Sequence, residues 1–266
     1  YLDKTNDMGI VGKIVDFTFL KLHRLSQHIV VVSNGISEEL IRKGIIKEKI
    51  TVISNPIDIS QIKKLSMVDV DNKYNSFLES GKPLLISAGR LSPEKNYKFL
   101  LDVLKKVREK IDCNLIILGE GSERSILERY AINLNIREHF FLPGWVENPF
   151  NIISHADVFL LSSLWEGFGN VIIEAMCCGV PVVSFDCPTG PRDIINHLEN
   201  GYLIKMNDMD DFCMKTINIL TNKRLSAKLS KRGKERIKSF DTSIVTREYK
   251  RLFSKAINEK AAWGKN

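Results

Sequence analysis

The strongest constraint on the fold is an alternation of short, continuous apolar runs with longer amphipathic stretches. Strands are expected at His28–Ser33, Ile50–Ile53, Pro83–Ala88, Asn114–Gly119, His139–Leu142, Asp157–Ser162, Val180–Ser184 and Tyr202–Ile204. Between them the spacing turns helical: Tyr97, Leu100, Leu101, Leu104, Val107 and Ile111 fall on one face of a helix over 96–111. A strand that is apolar at every position must be covered on both sides. A parallel sheet flanked by helices provides that cover. The expected fold class is therefore α/β, with a doubly wound parallel sheet.

The 266 residues suffice for two domains of ~100–150 residues each. Residues 66–82 (SMVDVDNKYNSFLESGK) are polar and without period, and are expected to be a linker. Residues 1–65 hold only two strands, too little sheet to close a core, and are expected to be the end of a domain that begins upstream. Residues 83–222 are the expected ligand-binding α/β domain, and 223–266 are expected to be helical throughout. The longest apolar runs are four residues, against the ~18–20 that a membrane span needs. Nothing at the start has the order of a signal peptide. A cytoplasmic chain is the expectation. Five cysteines without CxxC spacing argue for buried thiols rather than a zinc site or disulfides. Asp69-Val70-Asp71 lies in the polar segment and not at the end of a buried strand, so no metal site is expected there.

The charge is unevenly spread. Residues 223–266 carry 14 basic and 4 acidic side chains, whereas the first 222 residues carry a net −3. The excess is either a solvated helix face or a surface attracted to an anionic membrane. No basic run is interleaved with aromatics, which argues against nucleic acid as a partner.

Doubly wound sheets bind ligands at the C-terminal ends of their strands, and three segments there carry chemistry. Gly119-Glu120-Gly121 follows a strand, but the third glycine of a dinucleotide fingerprint is replaced by Arg124, which argues against a nicotinamide dehydrogenase. The pair is a weak phosphate signal or a tight turn. Glu166-Gly167-Phe168-Gly169-Asn170-Val171 follows the strand 157–162 and opens an apolar helix, where backbone amides favour an anion. Glu174 follows Glu166 by eight positions. Two carboxylates flanking such amides suit a polyhydroxylated ligand such as a nucleotide sugar, although alone they could be a solvated face. Finally, Gly89-Arg90 ends the strand 83–88, and Lys95 follows at the start of the next helix. Both cations suit phosphate oxygens, with an exposed ion pair to Glu94 as the alternative.

The segments SAGRLSPEKN (87–96), GEG (119–121), PGW (143–145), SSLWEGFGNVIIEAMCCGVPVVS (162–184) and GPRDII (190–195) together resemble the family 4 glycosyltransferases of the GT-B fold. The resemblance runs from about Ser33 to the end. It implies a C-terminal Rossmann-like domain that binds the donor, and the remnant of a second one that binds the acceptor. It implies transfer from a nucleotide diphosphate sugar with retention of configuration, without a metal or other cofactor. Arg90, Lys95 and Glu166 are then the catalytic residues: the cations hold the diphosphate and Glu166 contacts the donor sugar. Gly89, Gly121, Trp145, Val146, Phe168, Gly169, Asn170, Val171 and Glu174 are the donor-binding residues, with Glu174 on the ribose and Trp145 and Val146 near the base.

The similarity of CPTGPRDII (187–195) to bacterial polysaccharide enzymes favours a UDP-sugar, with a glycan or lipid-linked saccharide as acceptor. In that setting the protein is cytoplasmic and peripheral on the inner face of the membrane. None of His23, His28, His139, His155 and His197 sits in a motif matching the family's acceptor-side histidine, so acceptor-side groups are expected upstream of Tyr1. A catalytically silent nucleotide-sugar-binding protein is the competing expectation. The last helix is expected to bury Ile244, Val245, Tyr249, Leu252, Phe253 and Ile257 as one stripe against the N-terminal domain, leaving the basic faces free.

Overall fold

Each continuous apolar run becomes a strand because its backbone pairs within a sheet while its side chains find cover on both faces. A computed structural model describes residues 18–263. In chain order the main elements are β1 (Ile29–Val31), α1 (Asn34–Arg42), β2 (Ile50–Val52), α2 (Ile59–Leu65), β3 (Leu84–Ala88), α3 (Tyr97–Arg108), β4 (Asn114–Leu118) and α4 (Arg124–Asn133). They continue with β5 (Phe140–Gly144), β6 (Val158–Leu161), α5 (Asn170–Cys177), β7 (Val182–Phe185), β8 (Tyr202–Ile204), α6 (Met209–Thr221), α7 (Lys223–Arg236) and α8 (Thr242–Trp263). The chain divides into two compact units, Tyr1–Pro56 with Thr242–Asn266, and Ile57–Asp241.

In the larger unit six parallel strands run in the order β5-β4-β3-β6-β7-β8. The chain therefore winds outward from β3 in one direction and from β6 in the other, which is the Rossmann order. Every residue of β3, β4, β6 and β7 is buried. Leu115 and Ile117 of β4 join Leu100, Leu104 and Val107 of α3 and Phe212 of α6 in one core. Ile86 and Ile116 are as fully buried but stand outside that cluster, as alternation across the sheet requires. β5 is an edge strand, which is why it tolerates Pro143, a residue with no amide donor.

The domain limits differ from the expected ones. Residues 66–82 are packed rather than a free linker. Tyr74 is 2% exposed and meets Phe141 of β5 edge-on at 5.9 Å, while Phe77 stacks on the same ring at 5.3 Å. Asn148 and Asn151 donate to the carbonyls of Leu65 and Asp69 at 2.9 and 3.0 Å. Two aromatics and a row of carbonyls suffice to dock a segment whose composition is polar. The side chain of Asp71 accepts from the Lys73 amide at 3.0 Å and so shapes a turn. At the other end α7 belongs to the larger unit: Leu229, Ile237 and Phe240 are buried, and Phe240 meets Phe168 edge-on at 5.5 Å. The boundaries thus fall after Pro56 and after Asp241. The five cysteines are free, and burial pushes the thiols of Cys113, Cys177, Cys178 and Cys187 up to about 12.

In the smaller unit β1 and β2 pair in parallel, Ile29 opposite Ile50, and the Ser33 side chain caps α1. Helix α8 lies in this unit, where Val245 and Leu252 pack with Ile53, and Glu259 meets the His28 ring at 2.8 Å. The expected stripe is only partly buried: Phe253 and Ile257 are 58% and 67% exposed. At ~100° per residue, positions 245, 249 and 252 share a narrow arc, whereas 253 and 257 have turned onto its flank. Among the described residues no helix is long and apolar enough to cross a membrane.

Candidate active site

The sheet order leaves a crevice where β3 and β6 lie side by side and their crossovers depart to opposite sides. Gly89, Arg90 and Leu91 leave the C-terminal end of β3, and the segment Ser162–Gly169 leaves that of β6. The two are stitched together. The Lys95 ammonium donates to Oε1 of Glu166 at 2.6 Å, and the Ser163 hydroxyl donates to the same oxygen at 2.7 Å. Ser162 donates to the Lys95 carbonyl at 2.8 Å, and the Leu164 amide to that of Glu94 at 2.9 Å. The Lys95 and Glu166 side chains are only 17% and 11% exposed, so the pair is shielded from bulk screening. Both bonds to Glu166 fall on one oxygen, which leaves Oε2 as an acceptor. The other expected cation, Arg90, is exposed, and its guanidinium has no partner among the described residues.

The segment after β6 ends at Gly169, which precedes α5 and has a φ of 95°. The first amides of α5, from Asn170 and Val171, have no carbonyl of their own helix to bond and carry its positive end. Phe168 is buried, and its ring meets that of Phe240 edge-on. Glu174, one turn beyond Asn170, shares its face of the helix. It is half-buried, and no hydrogen bond or ion pair holds its carboxylate among the described residues. Burial raises its pKa above the ordinary 4.5.

That shift has a testable sign. The folded protein holds this proton more tightly than the unfolded chain, so stability falls as pH rises through 4.5 toward the folded value, and then levels off. Glu174→Gln removes this loss. The variant is expected to match or exceed the wild type in denaturant midpoint at pH 7, with a difference that shrinks toward pH 4. A difference independent of pH would show that the buried charge is not its source.

Gly119-Glu120-Gly121 forms a tight turn that packs on the loop after β3. The Leu91 amide donates to the Glu120 carbonyl at 2.8 Å, and the Glu123 amide to that of Leu91 at 3.0 Å. A Cβ on Gly119 would lie 1.9 Å from the Gly89 carbonyl oxygen, and one on Gly121 would lie 2.2 Å from that of Leu91. Glycine is needed because two loops touch backbone to backbone. Arg124, in place of a third glycine, binds both oxygens of Glu120 at 2.7 and 3.0 Å and reaches the Leu142 carbonyl at 3.2 Å, tying this loop to β5. Trp145 is 73% exposed and follows β5, with Val146 half-buried beside it. Two strand spacings, about 10 Å, separate β5 from β3, so no bond joins Trp145 to the Lys95–Glu166 pair.

Four side chains of the candidate site were not anticipated. Ser162 and Ser163 hold the Lys95 turn and Glu166, and the Thr189 hydroxyl donates to the Glu166 carbonyl. Tyr97 is 1% exposed, with its hydroxyl beside Gly89 and unpartnered. The paired serines at the end of an apolar strand were the available signal. Thr189 carried none, because its contact spans 23 positions.

Residues 70–236 match the family model described as glycosyl transferases group 1, and residues 7–61 match that described as glycosyltransferase family 4. The chain is 28% identical over 246 residues to the N-acetylgalactosamine-N,N'-diacetylbacillosaminyl-diphospho-undecaprenol 4-alpha-N-acetylgalactosaminyltransferase of Campylobacter jejuni, covering 92% of this chain and 64% of that protein. It is 29% identical over 227 residues to the lipopolysaccharide 1,6-galactosyltransferase of Escherichia coli, covering 83% of this chain and 58% of that one. Among solved structures, Anabaena HepE in complex with UDP superposes with a TM-score of 0.78 at 21% identity, over 88% of this chain and 65% of that one. The chain thus spans less than two thirds of the length of each.

Proposed function

The chain belongs to the group 1 glycosyltransferases and has the GT-B type of α/β fold, and from that premise we propose that it transfers a sugar from a UDP-sugar to a glycan or lipid-linked saccharide with retention of configuration. The observation that carries the reading is the shielded Lys95–Glu166 pair at the β3/β6 crevice, at the mouth of the helix that bears the unpartnered Glu174. The relatives add the substrate classes: HepE was solved with UDP, and the two bacterial enzymes are named for N-acetylgalactosaminyl and galactosyl transfer to a diphospho-undecaprenol saccharide and to lipopolysaccharide.

In this reading an arriving diphosphate competes with Glu166 for Lys95 and recruits the free guanidinium of Arg90. The amides at Gly169, Asn170 and Val171 meet phosphate and sugar oxygens. Gly89 allows the Lys95 stem to pass close to the β3 turn. Glu174 accepts the ribose hydroxyls, Trp145 and Val146 line the base, and Oε2 of Glu166 accepts a sugar hydroxyl. As the bond from the anomeric carbon to the phosphate oxygen breaks, negative charge collects on the diphosphate, where Arg90 and Lys95 are already in place. The acceptor oxygen bonds the same carbon from the same face and passes its proton to the departing phosphate. The cations supply the charge stabilisation, with no metal in the scheme. Glu166 acts in this scheme as an acceptor for a sugar hydroxyl, not as a covalent nucleophile. With a lipid-linked acceptor, the enzyme works as a peripheral protein at the inner face of the membrane.

The test is thermal. UDP is expected to raise the melting temperature of the chain, because a ligand that binds only the folded state stabilises it by about 2.7 kcal/mol at a hundredfold excess over Kd. NADH is expected to leave it unchanged. A shift with NADH and none with nucleoside diphosphates would overturn the reading.

A further inference from the structure

Well away from that crevice, α2 and α7 enclose an open groove of about 470 Å³ on the larger unit. It is lined by the small residues Ala227 and Ser230 and by Lys63 from α2, Lys231 and Lys234 from α7, and Lys238 from the turn that follows. None of the four ammonium groups has a hydrogen bond or ion pair among the described residues. The one carboxylate at the rim, Glu235, is engaged by Arg232 at 3.3 Å. Lys231, Lys234 and Lys238 follow one another at spacings of three and four, where like charges on a helix repel. Lys63 adds a fourth charge from a different element. The fold thus gathers four lysines around a concavity whose one lining carboxylate is already engaged by an arginine.

We propose that this groove is a second anion site, built for a phosphate group. Lysine meets phosphate as a point charge with three donors, and four such groups around one hollow suit a compact, multiply charged oxyanion. The groove contains no arginine fork to select a planar carboxylate, and the Ser230 hydroxyl adds a neutral donor. The site is separate from the proposed donor site. Both α2 and α7 pack on α5, and the Lys234 ammonium lies 2.7 Å from where a Cβ on Gly179 would be, just past the C-terminal end of α5. That helix is about 12 Å long, and the donor crevice is at its other end. The inference does not depend on the transfer reaction. The phosphate has two sources, a phospholipid headgroup or a soluble phosphate compound.

The experiment uses the intact chain at low salt, with two probes: inorganic phosphate followed by amide chemical shifts, and co-sedimentation with phosphatidylglycerol-containing or pure phosphatidylcholine vesicles. Phosphate is expected to shift amides at 63 and 227–238. If the source is lipid, the chain also sediments with the anionic vesicles alone, and partition drops about fivefold for each groove lysine changed to Gln. If the source is soluble, the shifts occur without sedimentation. Lys63→Gln, Lys231→Gln, Lys234→Gln and Lys238→Gln together are expected to abolish both signals at an unchanged melting temperature. A control with Lys105, Lys110, Lys205 and Lys223 changed to Gln removes the same charge and is expected to keep them. Equal loss in the control, or no shift at 227–238, would overturn the proposal.

Discussion

In the proposed transfer reaction, Lys95→Ala is expected to lower kcat by about 10²–10³-fold, the effect of removing one preorganised donor from a developing oxyanion. Glu166→Ala is expected to fall in a similar range by a different route. It releases Lys95 from the bond at 2.6 Å and removes the acceptor that Ser163 also uses. The ammonium is then misplaced and the sugar loses a contact. Because the two side chains share one bond, their effects should not add, and the double variant should resemble the worse single one. Taking one partner from a pair this shielded also costs stability, so each variant must first be shown to be folded at the assay temperature. Donor-titrated kinetics settle the matter. A double variant with near wild-type kcat would remove the mechanistic assignment.

The largest stability effect is expected at a glycine that touches no ligand. Gly119→Ala would place a methyl group 1.9 Å from the Gly89 carbonyl oxygen, at a φ of 143°, so the loops after β3 and β4 must part. Overpacking against rigid backbone costs about 3 kcal/mol, and at ~2–4 °C per kcal/mol the melting temperature should fall by roughly 6–12 °C. Gly167→Ala makes the contrasting case. Nothing in the chain lies within 4 Å of a Cβ there, and the backbone is not in the left-handed region. Stability should hold, or rise by about 0.4–1 kcal/mol as the unfolded chain loses freedom. Gly167 is exposed beside Glu166, and in the proposed binding mode a methyl group there should shrink the UDP-induced thermal shift. Calorimetry on the two variants with and without UDP measures both effects. A full UDP shift in Gly167→Ala would mean that the donor does not approach there.

Most of the layered architecture was legible in the sequence, because it rests on local patterns. Runs such as Leu115–Leu118 are apolar at every position and can only be strands covered on both faces. Residues 97–108 repeat at helical spacing, and Glu166 through Glu174 sit on a strand-to-helix turn whichever way the sheet is ordered. These features also placed Arg90, Lys95 and Glu166 at strand ends.

What only the tertiary structure decided were pairings between distant segments. Sheet order put β3 beside β6 and so brought Lys95 onto Glu166, 71 positions away. The glycines of 119–121 looked like a phosphate loop because a close approach demands glycine whether the neighbour is a ligand or another backbone, and only the fold shows that it is Gly89 and Leu91. Residues 66–82 looked like a linker because two aromatics cannot mark a docked segment until the ring they meet, Phe141, is in place. The basic groove needed Lys63 to join α7 across 168 positions. Composition records how much charge a chain carries, whereas its convergence depends on which surfaces the core holds together.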